Sequence, residues 1–189
     1  MDPMGTVFST GGARWDRFSP LVAVDGGVVP SWYGATSQAG AIFESVFHDI
    51  RPSHRHPRVM PNAYLGRFLA QVVTTRPLAL VDLTTVGLHR IGITRAALIE
   101  ATSRSYQWTI EQAIILRAAA PGADGFTWVS RAHDTSRCVV LYGDRGDPGR
   151  LRPGPDPAMP LALGAGLELL RALAEAAAIT IVSPETTGR

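Results

Sequence analysis

Pro121-Gly122-Ala123-Asp124-Gly125-Phe126-Thr127-Trp128-Val129-Ser130 is the stretch from which the fold is read. A Gly/Asp turn leads into four residues that are aromatic or β-branched, the composition of a short strand. Ser130 stands at the end of that strand. Further strands are expected over Cys138–Tyr142 and over Leu78–Leu83, an apolar run with the length of a buried strand. Helical spacing surrounds them. Ser37 suits the N-cap of a helix carrying Ala39, Ile42, Phe43, Val46 and Phe47, with Glu44 among these apolar positions. Thr94 caps a second helix over 94–99. Trp108–Ala119 reads as a third, with Thr109 as its cap and Glu111 early, where the helix dipole favours an anion. An Ala/Leu-rich helix over 161–178 and a last strand over 179–182 follow. Short strands and helices intermingled in this way predict one α+β (mixed α/β) domain.

The remaining stretches are punctuated by turn formers. Residues 1–13 are Gly-rich and read as a flexible N-terminus, with the domain proper over 14–189. Asp25-Gly26-Gly27 marks a loop or hairpin before an extended segment reaching Gly34. Arg51 to Pro61, rich in Pro, His and Arg, reads as a surface loop. Leu65, Phe68, Leu69, Val72 and Val73 fit a short helix or a strand equally well. Gly143 to Pro160 is dense in Gly, Pro, Asp and Arg and reads as a loop.

Composition excludes several functions. A chain of 189 residues has room for a single domain with a real core. All 18 cationic residues are arginines, so neither a Walker A lysine nor a Schiff-base lysine exists. The arginines are scattered and net charge is only +2, which gives no basic patch for nucleic acid. Cys138 is the single cysteine, placed in a strand, so intramolecular disulfides and cysteine zinc clusters are ruled out. His54-Arg55-His56, with His48 nearby, lacks a carboxylate at metal-binding spacing and reads as solvated loop, so no metal site is expected. No signal peptide or membrane-length apolar run is seen, and a cytoplasmic protein is expected.

Four polar residues interrupt apolar or turn-forming sequence: Arg17, Tyr33, Glu44 and Ser130. A cation, an aromatic face, a carboxylate and a hydroxyl suit a phosphorylated nucleoside whose glycosidic bond is to be broken. Guanidinium forks onto phosphate oxygens, and a carboxylate stabilises the positive charge that develops on the sugar. Arg14 competes with Arg17 for the phosphate. Ser130 lacks the Gly-x-Ser-x-Gly elbow of a nucleophile; Arg131 and His133 flank it as candidate assistants and are not assigned to the site.

In order, Arg17-Phe18-Ser19-Pro20, Tyr33-Gly34-Ala35, Ala41 through Asp49, Leu78 through Leu83, Gly87-Leu88-His89-Arg90-Ile91-Gly92, Tyr106-Gln107-Trp108-Thr109, Gly125 through Arg131 and Leu141-Tyr142-Gly143-Asp144-Arg145 resemble the RES domain, named for its Arg, Glu and Ser. The similarity runs over residues 14–145. It implies a fold akin to ADP-ribosyltransferases, with a small split mixed sheet flanked by helices around an NAD cleft. It implies a bacterial toxin that destroys NAD by glycohydrolysis or phosphorolysis, with NAD as substrate and no prosthetic group. It implies an oligomeric complex with a DNA-binding antitoxin of the Xre type, which blocks the cleft. Arg17, Tyr33, Glu44 and Ser130 match the family's active-site positions. Family members begin with a further Arg upstream, which this chain lacks before Arg14. Two alternatives accompany this reading: ADP-ribosyl transfer onto a protein, and a degenerate copy that binds without catalysis.

Overall fold

The computed structural model describes residues 4–10, 15–23, 25–50 and 55–184, except for the side chain of Pro148. The chain opens with a hairpin, β1 (Leu21–Val22) against β2 (Val28–Val29), whose turn is closed by Gly27 N–H donating to Asp25 Oδ1 at 2.9 Å. Then come β3 (Ser31–Ala35), α1 (Gln38–Phe43), β4 (Arg58–Val59), β5 (Phe68–Leu69), β6 (Val72–Thr74) and β7 (Leu80–Asp82). Three helices follow, α2 (Thr85–Arg90), α3 (Arg95–Leu98) and α4 (Tyr106–Ala119). The chain continues through β8 (Gly125–Val129), β9 (Arg137–Tyr142), β10 (Leu151–Pro153), β11 (Met159–Pro160), α5 (Gly164–Ala176) and β12 (Thr180–Ile181). This is a mixed α+β chain, as the sequence implies.

The frame is a four-stranded sheet in the order β3-β9-β8-β7, antiparallel except for the β8–β7 pair. Gly125 opens β8 because a side chain there would sit 1.8 Å from the Val140 carbonyl oxygen of β9. Four two-stranded ladders flank the frame: β1–β2, β6–β10, β5–β11 and the parallel β4–β12. Apolar side chains bury in two clusters. One gathers Phe18, Leu83, Leu88, Leu98, Ala113, Phe126, Trp128 and Val140 from the sheet and α2–α4. Phe18 lies edge-on to both Phe126 and Trp128, with ring centroids 5.6 and 5.1 Å apart, the favoured aromatic geometry. The other gathers Ile42, Phe47, Val59, Tyr64, Leu161, Leu170 and Ala174 around α1 and α5.

Several local expectations change. Ser37 does cap α1, accepting from Gly40 N–H at 2.9 Å. The helix stops at Phe43, however, and Glu44 is its C-cap rather than an interior residue. Ser45 Oγ donates to the Ala41 carbonyl, and the N–H groups of Val46 and Phe47 both reach the Ile42 carbonyl. These bonds consume the acceptors a further turn needs. Likewise α4 begins at Tyr106, and Thr109 lies inside it, fully buried, with its hydroxyl 2.5 Å from the Arg17 carbonyl. The ambiguous stretch 65–73 holds strand β5 and the start of β6, which runs to Thr74. Within 143–160, expected as loop, β10 and β11 pair with them. The fully buried Arg150 holds that segment in, donating to the carbonyls of Tyr142, Arg145 and Asp147. The short helix α2 had no sequence signal; Gly87 within it passes so close to the Asp82 carbonyl that any side chain would collide.

Asp124 ties the start of β7 to the turn before β8. Its carboxylate accepts from both Arg76 Nη groups, at 2.9 and 2.6 Å, and from Ala79 N–H at 2.9 Å. The Arg76 hydrogen bonds chiefly hold its pKa below the ordinary 3.8, against the opposing effect of burial. A lowered folded value means the contribution is complete above the unfolded value and disappears as pH falls through the folded one. Thermal melts between pH 6 and pH 2.5 should therefore show a Tm decline below about pH 4 that is shallower in Asp124→Asn. At neutral pH that variant should lose about 2 kcal/mol, or about 6 °C in Tm for a chain of this size.

Candidate active site

The end of α1 and the end of β8 meet at Glu44. Ser130 is fully buried, and its hydroxyl donates to Glu44 Oε1 at 2.6 Å across 86 residues of sequence. Its oxygen in turn accepts from the N–H groups of Ala132 and His133, at 3.0 and 2.9 Å. With both lone pairs engaged, the single hydroxyl proton is directed at the carboxylate. Arg131 N–H donates to the same Oε1 at 3.1 Å. One oxygen of Glu44 is thus held twice, and among the described residues no donor reaches the other. Behind this pair sits Cys138, whose thiol is pushed up to about 12, first by burial and then by the Glu44 charge. It is a neutral, packed side chain and no nucleophile.

Arg17 lies on the same floor. It is 5% exposed, and among the described residues neither Nε nor Nη2 has a hydrogen-bond partner. Burial holds its pKa below the ordinary value, opposed first by the Glu44 carboxylate and then by Tyr106. A guanidinium stays charged at any accessible pH, so this is a buried cation with unmet donors, an arrangement that costs stability. Thr109 fixes its backbone from below through the carbonyl contact already described. Tyr33 lies close enough to bear on the Arg17 charge, but its hydroxyl pairs with Ser19 Oγ at 3.1 Å and its ring packs edge-on to Trp128. Desolvation around the hydroxyl, foremost, raises its pKa well above the usual tyrosine range, although the residue as a whole is 38% exposed. Arg14 lies outside the described residues.

The floor opens into a cleft of about 1630 Å³ bordered by the second apolar cluster, through Phe43, Val46, Phe47 and Ile179. Its lining includes Asp16, Glu44, His48, Tyr106 and Arg131, with Arg55 and Arg67 farther out. Ser130 and Arg17 lie beneath this lining, and Tyr33 does not line it. The structure therefore assembles Arg17, Glu44 and Ser130 at one place and sets Tyr33 beside them, supporting the Arg17–Ser19 turn. The two flanking residues left unassigned from sequence belong here. Arg131 adds a backbone donor to Glu44 and a side chain that reaches His48 Nε2 at 3.3 Å. His133 contributes a backbone donor to Ser130, bonds Ser136 Oγ through Nδ1 at 2.8 Å, and stacks on Phe43. Backbone donors carry no side-chain signature, so sequence reading misses them. Among the described residues, no three His, Cys, Asp or Glu side chains converge as a metal site would require, and no helix is long and apolar enough to cross a membrane.

The profile of the RES domain matches residues 2–163. Neither the curated proteins nor the solved structures yield a match. The matched span covers α1, β8 and every residue of the floor, and on that ground the chain belongs to the RES-domain family.

Proposed function

We propose that this chain is a toxin enzyme that cleaves the nicotinamide–ribose bond of NAD. The observation that carries the reading is the buried guanidinium of Arg17, whose Nε and Nη2 find no partner among the described residues, beside a carboxylate whose one oxygen is locked by Ser130. An unmet buried cation is a standing site for an anion, and NAD carries a diphosphate next to the ribose. The unlocked oxygen of Glu44 would face the ribose, bonding its hydroxyls and stabilising the positive charge that grows at its anomeric carbon as nicotinamide leaves. Nicotinamide departs as a neutral ring, so no general acid is required. Water or inorganic phosphate then adds to the sugar from the open cleft. Ser130 acts by orienting Glu44 and Tyr33 by holding the turn that bears Arg17. The cleft is broad enough to admit part of a partner protein, and an antitoxin filling it would silence the enzyme.

The test is to incubate the protein with NAD, with and without phosphate, and weigh the products. Nicotinamide together with ADP-ribose, or with its phosphorylated form when phosphate is present, is the expected result. Intact NAD after prolonged incubation, or label transferred only to protein, would refute it.

A further inference from the structure

Arg95 opens α3, away from the cleft lining, yet its guanidinium spans two successive carbonyls at the end of β8. Nη1 donates to Val129 O at 3.2 Å and Nη2 to Ser130 O at 3.1 Å. The Ser130 carbonyl belongs to the same peptide unit as the Arg131 N–H. In a trans peptide these two groups point in opposite directions. One side of the plane is therefore gripped by a cation, and the other donates to Glu44 Oε1 at 3.1 Å. A positive charge on the carbonyl draws electrons from the amide and strengthens its N–H as a donor, as in any polarised hydrogen-bond chain. The same grip fixes the tilt of the plane from which the Ser130 and Arg131 donors converge. Arg95 is itself steadied by Glu100, whose Oε1 lies 3.2 Å from Nε at the exposed edge.

We infer that Arg95 is a positioning residue for Glu44, acting through the Ser130–Arg131 peptide without touching substrate. Its catalytic consequence rests on the NAD-cleaving reading, while its structural consequence does not. Arg95 aims the locked oxygen of Glu44 and so sets where the unlocked oxygen lies. Supporting groups of this kind typically change rate by 10- to 100-fold, and catalysis tolerates little misplacement.

Two measurements test it. In amide NMR spectra, Arg95→Met should move the Arg131 N–H upfield as its bond to Glu44 weakens, and Glu44→Gln should move the same resonance. An unmoved Arg131 amide in folded Arg95→Met overturns the inference whether or not the protein degrades NAD. In kinetics, Arg95→Met should lower kcat about 10-fold or more with KM within about threefold. Arg95→Lys, which keeps a charged donor, should recover part of the loss and replaces Arg95→Met if that variant fails to fold. Combined with Glu44→Gln, Arg95→Met should cost nothing further, because there is no carboxylate left to aim. Glu100→Gln, which disturbs only the exposed edge, should stay within about threefold of wild type. An equal loss in the Glu44→Gln background, or a rise in KM alone, would make Arg95 a mere fold element and contradict the inference. A wild-type protein inert toward NAD would sink the function proposed above and leave the NMR result to decide this one.

Discussion

Glu44→Gln should abolish nearly all NAD cleavage while leaving the fold intact. The amide oxygen of glutamine can still accept from Ser130 Oγ and Arg131 N–H, the two groups that hold Oε1. The side chain therefore keeps its place, and Tm should change by less than about 2 °C. What disappears is the negative charge facing the developing ribosyl cation. Removing one preorganised electrostatic group of this kind costs about 10²- to 10³-fold in kcat. Because that charge acts on the transition state, KM should move much less than kcat. Steady-state assay of NAD loss alongside a melting curve checks both halves. Activity within a factor of about three of wild type would remove Glu44 from the chemistry.

Arg17→Met should separate binding from stability in opposite directions. The native guanidinium is 5% exposed with Nε and Nη2 unmet, so the folded protein carries a desolvated charge with incomplete hydrogen bonding. Methionine fills similar length without that penalty. Replacing a poorly compensated buried charge by an apolar side chain can stabilise by about 1–4 kcal/mol, and a gain near the lower end would raise Tm by about 3 °C. The Glu44 attraction lost with the cation works against this gain and sets its size. Affinity for NAD should fall about 10- to 100-fold, the worth of a charge-assisted phosphate contact. A variant that melts several degrees lower, with NAD binding unchanged, would mean that Arg17 serves the fold alone. Stability sacrificed at a functional site is a recurring compromise.

The parts legible in the sequence are those written in side chains. The strand Phe126–Val129 was readable from its aromatic and β-branched run, and Ser130 at its end was readable as a polar residue in apolar surroundings. Ser37 as a cap was readable because a hydroxyl ahead of helical spacing has few other uses. Glu44 stood out against Phe43, Val46 and Phe47, although its position at the end of α1 depends on Ser45 capturing a carbonyl, which periodicity cannot reveal. The segment 143–160 reads as loop because its Gly, Pro and Asp residues are true turn formers. The element that overrides them is one buried side chain, Arg150, whose partners are backbone carbonyls. The same blindness hides the Arg131 N–H and the Arg95 grip: both are contacts to main chain, and main chain is identical in every sequence. Tyr33 was recognisable as special, but whether its ring faces a ligand or a neighbouring turn is decided by packing against Trp128 and Ser19.

The central claim is that Arg17, Glu44 and Ser130 form a single floor that receives the ribose and diphosphate of NAD. Crystals of the Glu44→Gln protein soaked with NAD test it most directly, since a blocked enzyme should hold its substrate intact. Density should place the nicotinamide ribose against residue 44 and a phosphate oxygen within hydrogen-bond distance of the Arg17 guanidinium, with Ser130 unmoved beneath. NAD bound elsewhere on the surface, or in the cleft with Arg17 still unpartnered, would contradict the account.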